Sequence, residues 1–180
     1  MSTETQAEVR FSDEQLQKVQ EIISRYPEGK QKSALLPILH MAQEEFGWLA
    51  VEVMDYVASL LSIRPIEVYE VATFYTMYNV RPVGKIVMEF CHTGPCALRG
   101  AERIQKHIEN RLNIKAGETT EDGVFTLKTV ECLASCGTGP MMQMGDYYYE
   151  DLTEEKVDKL LEEWRNQAGS MKAHFRGKHI

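Results

Sequence analysis

Apolar residues in the first eighty positions recur at three- and four-residue spacing, the periodicity of amphipathic helices. Ser12, with Gln15 three residues later, predicts a capping-box start for the first helix, and Pro27 would end it. Pro37 and Pro65 fall near the starts of the second and fourth helices, where proline is tolerated. The four predicted apolar faces are Leu16, Val19, Ile22, Ile23 and Tyr26; Leu35, Leu39, Ala42 and Phe46; Val53, Val57, Leu60 and Leu61; and Ile66, Tyr69, Ala72 and Tyr75.

The pattern changes after a proline- and glycine-containing segment, residues 79–84, which predicts a domain boundary. Beyond it, short apolar runs predict strands over 85–90, 124–130, 141–144 and 147–149. Gly145-Asp146 predicts an antiparallel hairpin between the last two strands, and Thr153 is a helix cap. The predicted helix faces are Leu98, Ala101, Ile104, Ile108 and Leu112, and Val157, Leu160, Leu161 and Trp164.

The order of these elements after the boundary is β-α-β-β-β-α, with one parallel crossover followed by a hairpin, which is a thioredoxin-like pattern. The sequence therefore predicts a mixed α+β or α/β fold with an N-terminal four-helix domain over 1–82 and a thioredoxin-like domain over 83–168. Residues 169–180 form a tail whose last ten positions are basic, with Lys172, Arg176 and Lys178 and no acidic residue. This tail is either a loosely held terminus or a strap on an acidic partner.

The composition of the chain excludes several classes of function. With 180 residues and 43% hydrophobic content, the chain can bury a core. Its net charge of -7 argues against nucleic-acid binding, which needs clustered Lys and Arg. No apolar run is long enough to span a membrane, and residues 1–10 lack the apolar core of a signal peptide. We therefore expect a cytoplasmic protein, or one peripheral on the inner face of an energy-transducing membrane.

All four cysteines lie in the second half, as Cys91-x4-Cys96 and Cys132-x3-Cys136, with 35 residues, 97–131, between the pairs. Cys91 and Cys132 each come just after a predicted strand. Because the carboxyl ends of parallel strands meet at one edge of a sheet, both pairs should emerge together there. The four thiolates are therefore predicted to converge on a metal site.

The loops beside the pairs contain glycines, which permit close backbone approach and can direct N–H groups at bridging sulfides. His92 adjoins a cysteine, but four thiolates already complete a ligand set, so we do not expect it to ligate. The loops are His92-Thr93-Gly94-Pro95 and Gly137-Thr138-Gly139-Pro140.

Four cysteines suit a [2Fe-2S] or a [4Fe-4S] cluster, and two separated pairs favour the rhombic two-iron core. Cys91 and Cys96 would then bind one iron, and Cys132 and Cys136 the other. Zinc is the main alternative, although its cysteine pairs are usually spaced by two residues. A redox dithiol would show Cys-x-x-Cys, and structural disulfides require an oxidising compartment, which the missing signal peptide argues against.

The two cysteine pairs and five further motifs resemble those of the family of the E subunit of NADH-quinone oxidoreductase, and the resemblance covers residues 12–164. One departure is Ala134, where the family pattern leads us to expect glycine, and it bears on the reduction potential more than on ligation. The motifs that carry the resemblance are the two cysteine pairs, Leu98-Arg99-Gly100-Ala101-Glu102, Gly117-Glu118-Thr119-Thr120-Glu121-Asp122-Gly123, Leu36-Pro37-Ile38-Leu39, Gly47-Trp48-Leu49 and Val71-Ala72-Thr73-Phe74-Tyr75.

The resemblance implies a subunit of respiratory complex I, a translocating NADH:quinone oxidoreductase, whose one [2Fe-2S] cluster accepts single electrons from FMN on a neighbouring NADH-binding subunit. The chain itself has no Gly-x-Gly-x-x-Gly motif after a strand, which agrees with an NADH site elsewhere. The helical domain would clamp the flavin subunit, with Phe74-Tyr75-Thr76-Met77-Tyr78 as the candidate contact.

Three other functions remain open. One is the equivalent diaphorase subunit of a soluble NAD-linked hydrogenase or formate dehydrogenase, which differs only in its partner. A free-standing ferredoxin is the second, although a mobile carrier needs no helical clamp. The third is a zinc-stabilised structural adaptor without a redox role.

Overall fold

Helices alone make up the first part of the chain, and a sheet with helices makes up the second, in a computed structural model that describes residues 9–170. The chain divides into two units between Pro82 and Val83. The basic stretch predicted at the C-terminus lies outside the described residues. The combination of a helical region with a mixed sheet confirms the predicted fold class.

From residue 9 onward, the first unit contains four α-helices, as the periodicity predicts. The first begins with the predicted capping box, in which Ser12 and Gln15 each bond the other's backbone N–H. A turn of 3-10 helix precedes the second helix, which ends at Gly47 with φ of 84°. The helices are α1 (Asp13–Ser24), α2 (Leu35–Phe46), α3 (Val51–Leu61) and α4 (Pro65–Phe74).

The predicted apolar face of α4 is only half right. Ala72 is buried and Tyr69 packs partly buried against the core, as predicted, whereas Ile66 and Tyr75 are exposed. Val68, which is not on the predicted face, is buried. Apolar residues lie all around this helix, so periodicity does not single out one side. Packing against the other helices selects the buried face instead.

A buried glutamine that the sequence pattern does not reveal anchors the segment after α4. Gln43 accepts a hydrogen bond from the backbone N–H of Asn79 at 2.6 Å and donates one to the carbonyl of Met77 at 2.9 Å. Tyr78, between them, is buried, and its hydroxyl donates to the carbonyl of Leu36. Tyr78 therefore belongs to the core, and only the earlier part of the predicted contact run is exposed.

The second unit is built on a four-stranded sheet in the order β2-β1-β3-β4. The strands β1 and β2 are parallel, β1 and β3 are antiparallel, and β3 and β4 form the predicted antiparallel hairpin. In the parallel pair the last two partners are Cys91 and Val130. The strands are β1 (Ile86–Cys91), β2 (Phe125–Val130), β3 (Met142–Met144) and β4 (Tyr147–Tyr149).

Two helices rather than one connect β1 to β2, α5 (Gly94–Leu98) and α6 (Ala101–Leu112). Gly100 stands between them with φ of 92°, a conformation that interrupts a helix. The prediction that Leu98 begins the apolar face of one long helix is therefore wrong, and this side chain is 91% exposed. The last helix, α7 (Glu154–Gln167), begins as predicted, with the Thr153 hydroxyl accepting the N–H of Lys156 at 3.2 Å.

The core of this unit lies against the sheet. Nearly every side chain of β1 is buried, so the strand is covered on both faces. The rings of Tyr149 and Trp164 meet edge to face at 5.0 Å and join the hairpin to α7. Tyr148 points outward, which agrees with the predicted alternation of the three tyrosines. Within residues 9–170 we find no helix with the length and apolar character needed to cross a bilayer.

Replacing Gly84 by alanine should destabilise the second unit by about 1–3 kcal/mol, because a Cβ there has no room. The added atom would lie 2.7 Å from the carbonyl oxygen of Val124, which is backbone and cannot turn aside. The free energy of urea unfolding measures the effect. Gly169→Ala is the matched control, since a Cβ there meets nothing within 4 Å, and equal stability of the two variants would contradict the packing account.

Candidate iron–sulfur site

Each cysteine is placed by the carboxyl end of one of the two parallel strands. Cys91 is the last residue of β1 rather than the residue after it, and Cys96 lies in α5. One residue separates the end of β2 from Cys132, and Cys136 begins a short 3-10 turn. Because Cys91 pairs with the last residue of β2, both cysteine loops leave the same edge of the sheet, as predicted.

The sulfur atoms interact within and between the two pairs. The Sγ atoms of Cys132 and Cys136 are 3.6 Å apart. This is close to the separation of about 3.8 Å for two thiolates held by one tetrahedral ion at about 2.3 Å. Cys91 and Cys96 form a hydrogen bond, and the charge of Cys136 acts on Cys96. The structure therefore brings together all four residues that the sequence singles out.

This proximity changes the acidity of the thiols. Burial, together with the neighbouring Cys91, raises the pKa of Cys96 to about 11. The hydrogen bond with Cys132 raises the pKa of Cys136. Ionising all four thiols at this edge is therefore unfavourable, and positively charged ions bound between them would offset the repulsion.

Backbone N–H groups point at the cysteine sulfurs. Burial by itself raises the pKa of Cys91, but hydrogen bonds from Thr93 and from the N–H of Leu133 outweigh it and leave the pKa below its usual value. The N–H of Met141 donates to Cys96. Such donors stabilise thiolate charge and tune the potential of iron–sulfur clusters. Contacts between these loops and bridging sulfides stay a prediction.

Ala134 adopts the backbone conformation that glycine would take. Its φ is 63°, in the left-handed region, which costs an alanine about 1 kcal/mol. In this conformation its N–H donates to the Sγ of Cys132 at 3.3 Å. Alanine at this position therefore keeps the loop geometry and the hydrogen bond to the sulfur, at a cost in strain.

Close approach of backbone to sulfur occurs at one of the predicted glycines. A Cβ on Gly139 would lie 2.9 Å from the Sγ of Cys96, so no other residue fits there without movement. Gly139 precedes Pro140 through a cis peptide bond. Added Cβ atoms on Gly94 and Gly137 meet nothing within 4 Å, so packing does not require glycine at those two positions.

A carboxylate that the sequence does not single out holds the second cysteine loop. Glu150 accepts hydrogen bonds from the hydroxyls of Ser135 and Thr138, which flank Cys136, and these bonds lower its pKa. Lys156 donates to the carbonyl of Glu150 at 2.6 Å. The partners lie 12 and 15 residues apart in the chain, so no local pattern could have revealed the contact.

A second missed contact joins the two cysteine loops. The Nε of Arg99 donates to the carbonyl of Gly139 at 2.5 Å, and its Nη2 is 3.3 Å from Asp151. Arg99 is part of a motif that carries the family resemblance, and its position three residues after Cys96 is the one signal in the sequence that could have marked it.

Two further observations concern ligand choice. His92 is exposed on the loop between the first two cysteines, and its exclusion from the ligand set stays a prediction. Among the described residues, no three His, Cys, Asp or Glu side chains surround a common point in the way that a single metal ion would need.

The structure is similar in fold to a solved structure of another protein. The chain superimposes on a chain of a NAD+-reducing [NiFe]-hydrogenase with a TM-score of 0.66 at 20% sequence identity. The match covers 74% of this chain and 23% of the hydrogenase chain. This likeness shows a shared fold.

Similarity to known sequences is much stronger. A family model described as "Thioredoxin-like [2Fe-2S] ferredoxin" matches residues 19–165. The E subunit of NADH-quinone oxidoreductase from Rickettsia felis is 46% identical over 157 residues, which are 87% of this chain and 94% of that protein. NADH dehydrogenase [ubiquinone] flavoprotein 2, mitochondrial, of Dictyostelium discoideum is 44% identical and is matched over 87% of this chain and 64% of that protein. The chain therefore belongs to the thioredoxin-like [2Fe-2S] ferredoxin family and, within it, to the family of the E subunit of NADH-quinone oxidoreductase.

Proposed function

We propose that this chain is the electron-transfer subunit of an NADH:quinone oxidoreductase, receiving single electrons from FMN on a neighbouring NADH-oxidising subunit. The observation that carries the proposal is the meeting of four thiols, from two distant parts of the chain, at one edge of the sheet. Relatives that are named as the E subunit of this complex, and that this chain matches over 94% of their length, support the assignment.

The donor set suits a [2Fe-2S] cluster, which would supply reversible one-electron reduction when bound. We assign Cys91 and Cys96 to one iron and Cys132 and Cys136 to the other. The spacing of 3.6 Å between the sulfurs of the second pair suits two ligands of one ion. The backbone N–H groups directed at the cysteine sulfurs stabilise the negative charge that such a site accumulates.

The edge of the sheet that carries the cysteines is suited to face a partner. Cys132 and Cys136 are exposed, whereas Cys91 and Cys96 are buried. Leu98, two residues after Cys96, is an almost fully exposed apolar side chain. Exposed apolar residues beside a functional site are typical of interaction surfaces. An electron donor docked here would approach the site through the exposed pair.

The helical unit supplies a second contact with the flavin subunit. Phe74, at the end of α4, is 76% exposed, and its ring meets the exposed ring of Tyr75 edge to face at 5.0 Å. Aromatic residues are enriched at protein interfaces because they bury a large area with little loss of conformational freedom.

A second candidate is the diaphorase subunit of a soluble NAD-linked hydrogenase or formate dehydrogenase. The shared fold with a NAD+-reducing hydrogenase chain favours it. Both candidates require the same cysteine set and the same one-electron step, and they differ in the proteins bound.

Purification of the native assembly tests the function. We expect the chain to copurify with an FMN-containing subunit. Addition of NADH should then produce the electron paramagnetic signal of a reduced [2Fe-2S] cluster, because electrons reach it through the flavin. Identification of the partners by mass spectrometry distinguishes a quinone reductase from a hydrogenase. A chain that contains about one zinc and no sulfide would instead be the structural adaptor.

Cys132→Ser should abolish or cripple cluster assembly, because it removes one of four thiolate ligands. Iron and acid-labile sulfide per chain, together with visible absorbance, measure the loss. Circular dichroism should show the helices of the first unit intact. Ala97→Ser is the matched control, since it adds a hydroxyl at an exposed position beside Cys96 and removes no sulfur. A visible spectrum of Cys132→Ser equal to that of the wild type would refute the ligand assignment.

Phe74→Ser should weaken copurification with the flavin subunit, with a loss of about tenfold or more in affinity if the ring is an interface anchor. Val51→Ser is the control, because Val51 is also an exposed apolar residue of the helical unit but begins a different helix. The dissociation constant for the isolated flavin subunit measures both. Equal affinities of the two variants would contradict the clamp.

A further inference from the structure

Arg99 connects two loops that the sequence separates. It follows the last turn of α5, three residues after Cys96, and its Nε donates to the carbonyl of Gly139, 40 residues away in the chain. Because the donor is a charged guanidinium, this is a charge-assisted hydrogen bond. One residue thereby ties the loop of the first cysteine pair to the loop of the second.

The carbonyl that Arg99 holds belongs to the peptide that touches a cysteine. Gly139 approaches the Sγ of Cys96 so closely that a Cβ would lie 2.9 Å from the sulfur. Gly139 is also three residues after Cys136. Moving its carbonyl would therefore change the surroundings of one cysteine from each pair at the same time.

Arg99 also brings a permanent positive charge to this edge, since a guanidinium does not lose its proton in proteins. Its counter-charge is Asp151, at 3.3 Å from Nη2, and both side chains are half exposed or more. An exposed ion pair of this kind contributes little to stability by itself. Reduction adds one negative charge to a site already crowded with thiolates, and a nearby cation favours the form with that extra charge.

We infer that Arg99 is a positioning residue that locks the Cys91–Cys96 loop onto the Cys132–Cys136 loop and, through its charge, raises the reduction potential of the group bound there. This inference rests on the proposed function. The two effects of Arg99 can be measured separately. Its hydrogen bond to Gly139 sets the rigidity of the site, and its positive charge sets the reduction potential.

Three substitutions separate these parts. Arg99→Met removes both the charge and the donor, whereas Arg99→Lys keeps the charge without the rigid fork of donors. Asp151→Asn leaves the contact with Gly139 and removes the counter-charge. Arg103→Met is the matched control, because Arg103 is an exposed arginine of the same segment whose Nε is 3.5 Å from Glu154.

The full chain carrying its cluster is titrated for midpoint potential by electron paramagnetic resonance, and the release of iron to a chelator is timed. Arg99→Met should lower the potential and release iron faster, on the order of tenfold, since a charged hydrogen bond is lost. Arg99→Lys should keep the potential near the wild-type value but release iron faster. Asp151→Asn should raise the potential with little change in release, and Arg103→Met should change neither.

Alkylation of Cys96 in the metal-free chain is an independent measurement of the lock. Cys96 is buried, so its reaction requires local opening, which Arg99→Met should accelerate and Arg103→Met should not. Circular dichroism establishes that each variant is folded. The inference is overturned if Arg99→Met has the same reduction potential, rate of iron release and rate of Cys96 alkylation as the wild type. It is also overturned if Arg103→Met changes these quantities as much as Arg99→Met does. A wild-type chain that binds no iron and sulfide overturns the proposed function, while alkylation of Cys96 still decides whether the lock exists.

Discussion

Repulsion among four thiolates at one edge of a small sheet is the constraint on which the other features of the second unit depend. Burial raises the pKa of Cys96, and its neighbours add to the effect. The chain offsets this with backbone N–H donors, such as that of Ala134 towards Cys132 and that of Met141 towards Cys96. Each of these contacts lowers the cost of negative charge, so the site is prepared for cations before any are bound.

The scaffold meets this constraint with long-range contacts rather than with local motifs. The parallel pairing of β1 and β2 aligns the starts of both cysteine loops, and the backbone of Gly139 packs against a sulfur. Glu150 holds Ser135 and Thr138 on either side of Cys136. Contacts with the sheet, with α5 and with the connection between β4 and α7 therefore hold the two cysteine loops in place. An electron carrier needs such support, because its site must change charge without moving.

Sequence reasoning succeeded where the signal is local and repeated. The capping box at Ser12, the four helices, the hairpin and the two cysteine pairs all follow from spacing along the chain. It failed where neighbours distant in sequence decide. Apolar residues lie on all sides of α4, so its periodicity does not define a buried face, and the break at Gly100 depends on a backbone angle that composition does not specify. The contacts of Arg99 and Glu150 are invisible for the same reason, because their partners lie elsewhere in the chain.

The alignment of Cys91 with Val130 has a consequence for how genes of this kind can diverge. The separation between the two cysteine pairs includes the loop between α6 and β2, so codons gained or lost in that loop leave the meeting point of the sulfurs in place. A single codon inserted within β1 would instead turn every later side chain of that strand to the opposite face. Cysteine spacing within each pair is therefore more tightly constrained by the fold than the distance between the pairs, which can change through that loop.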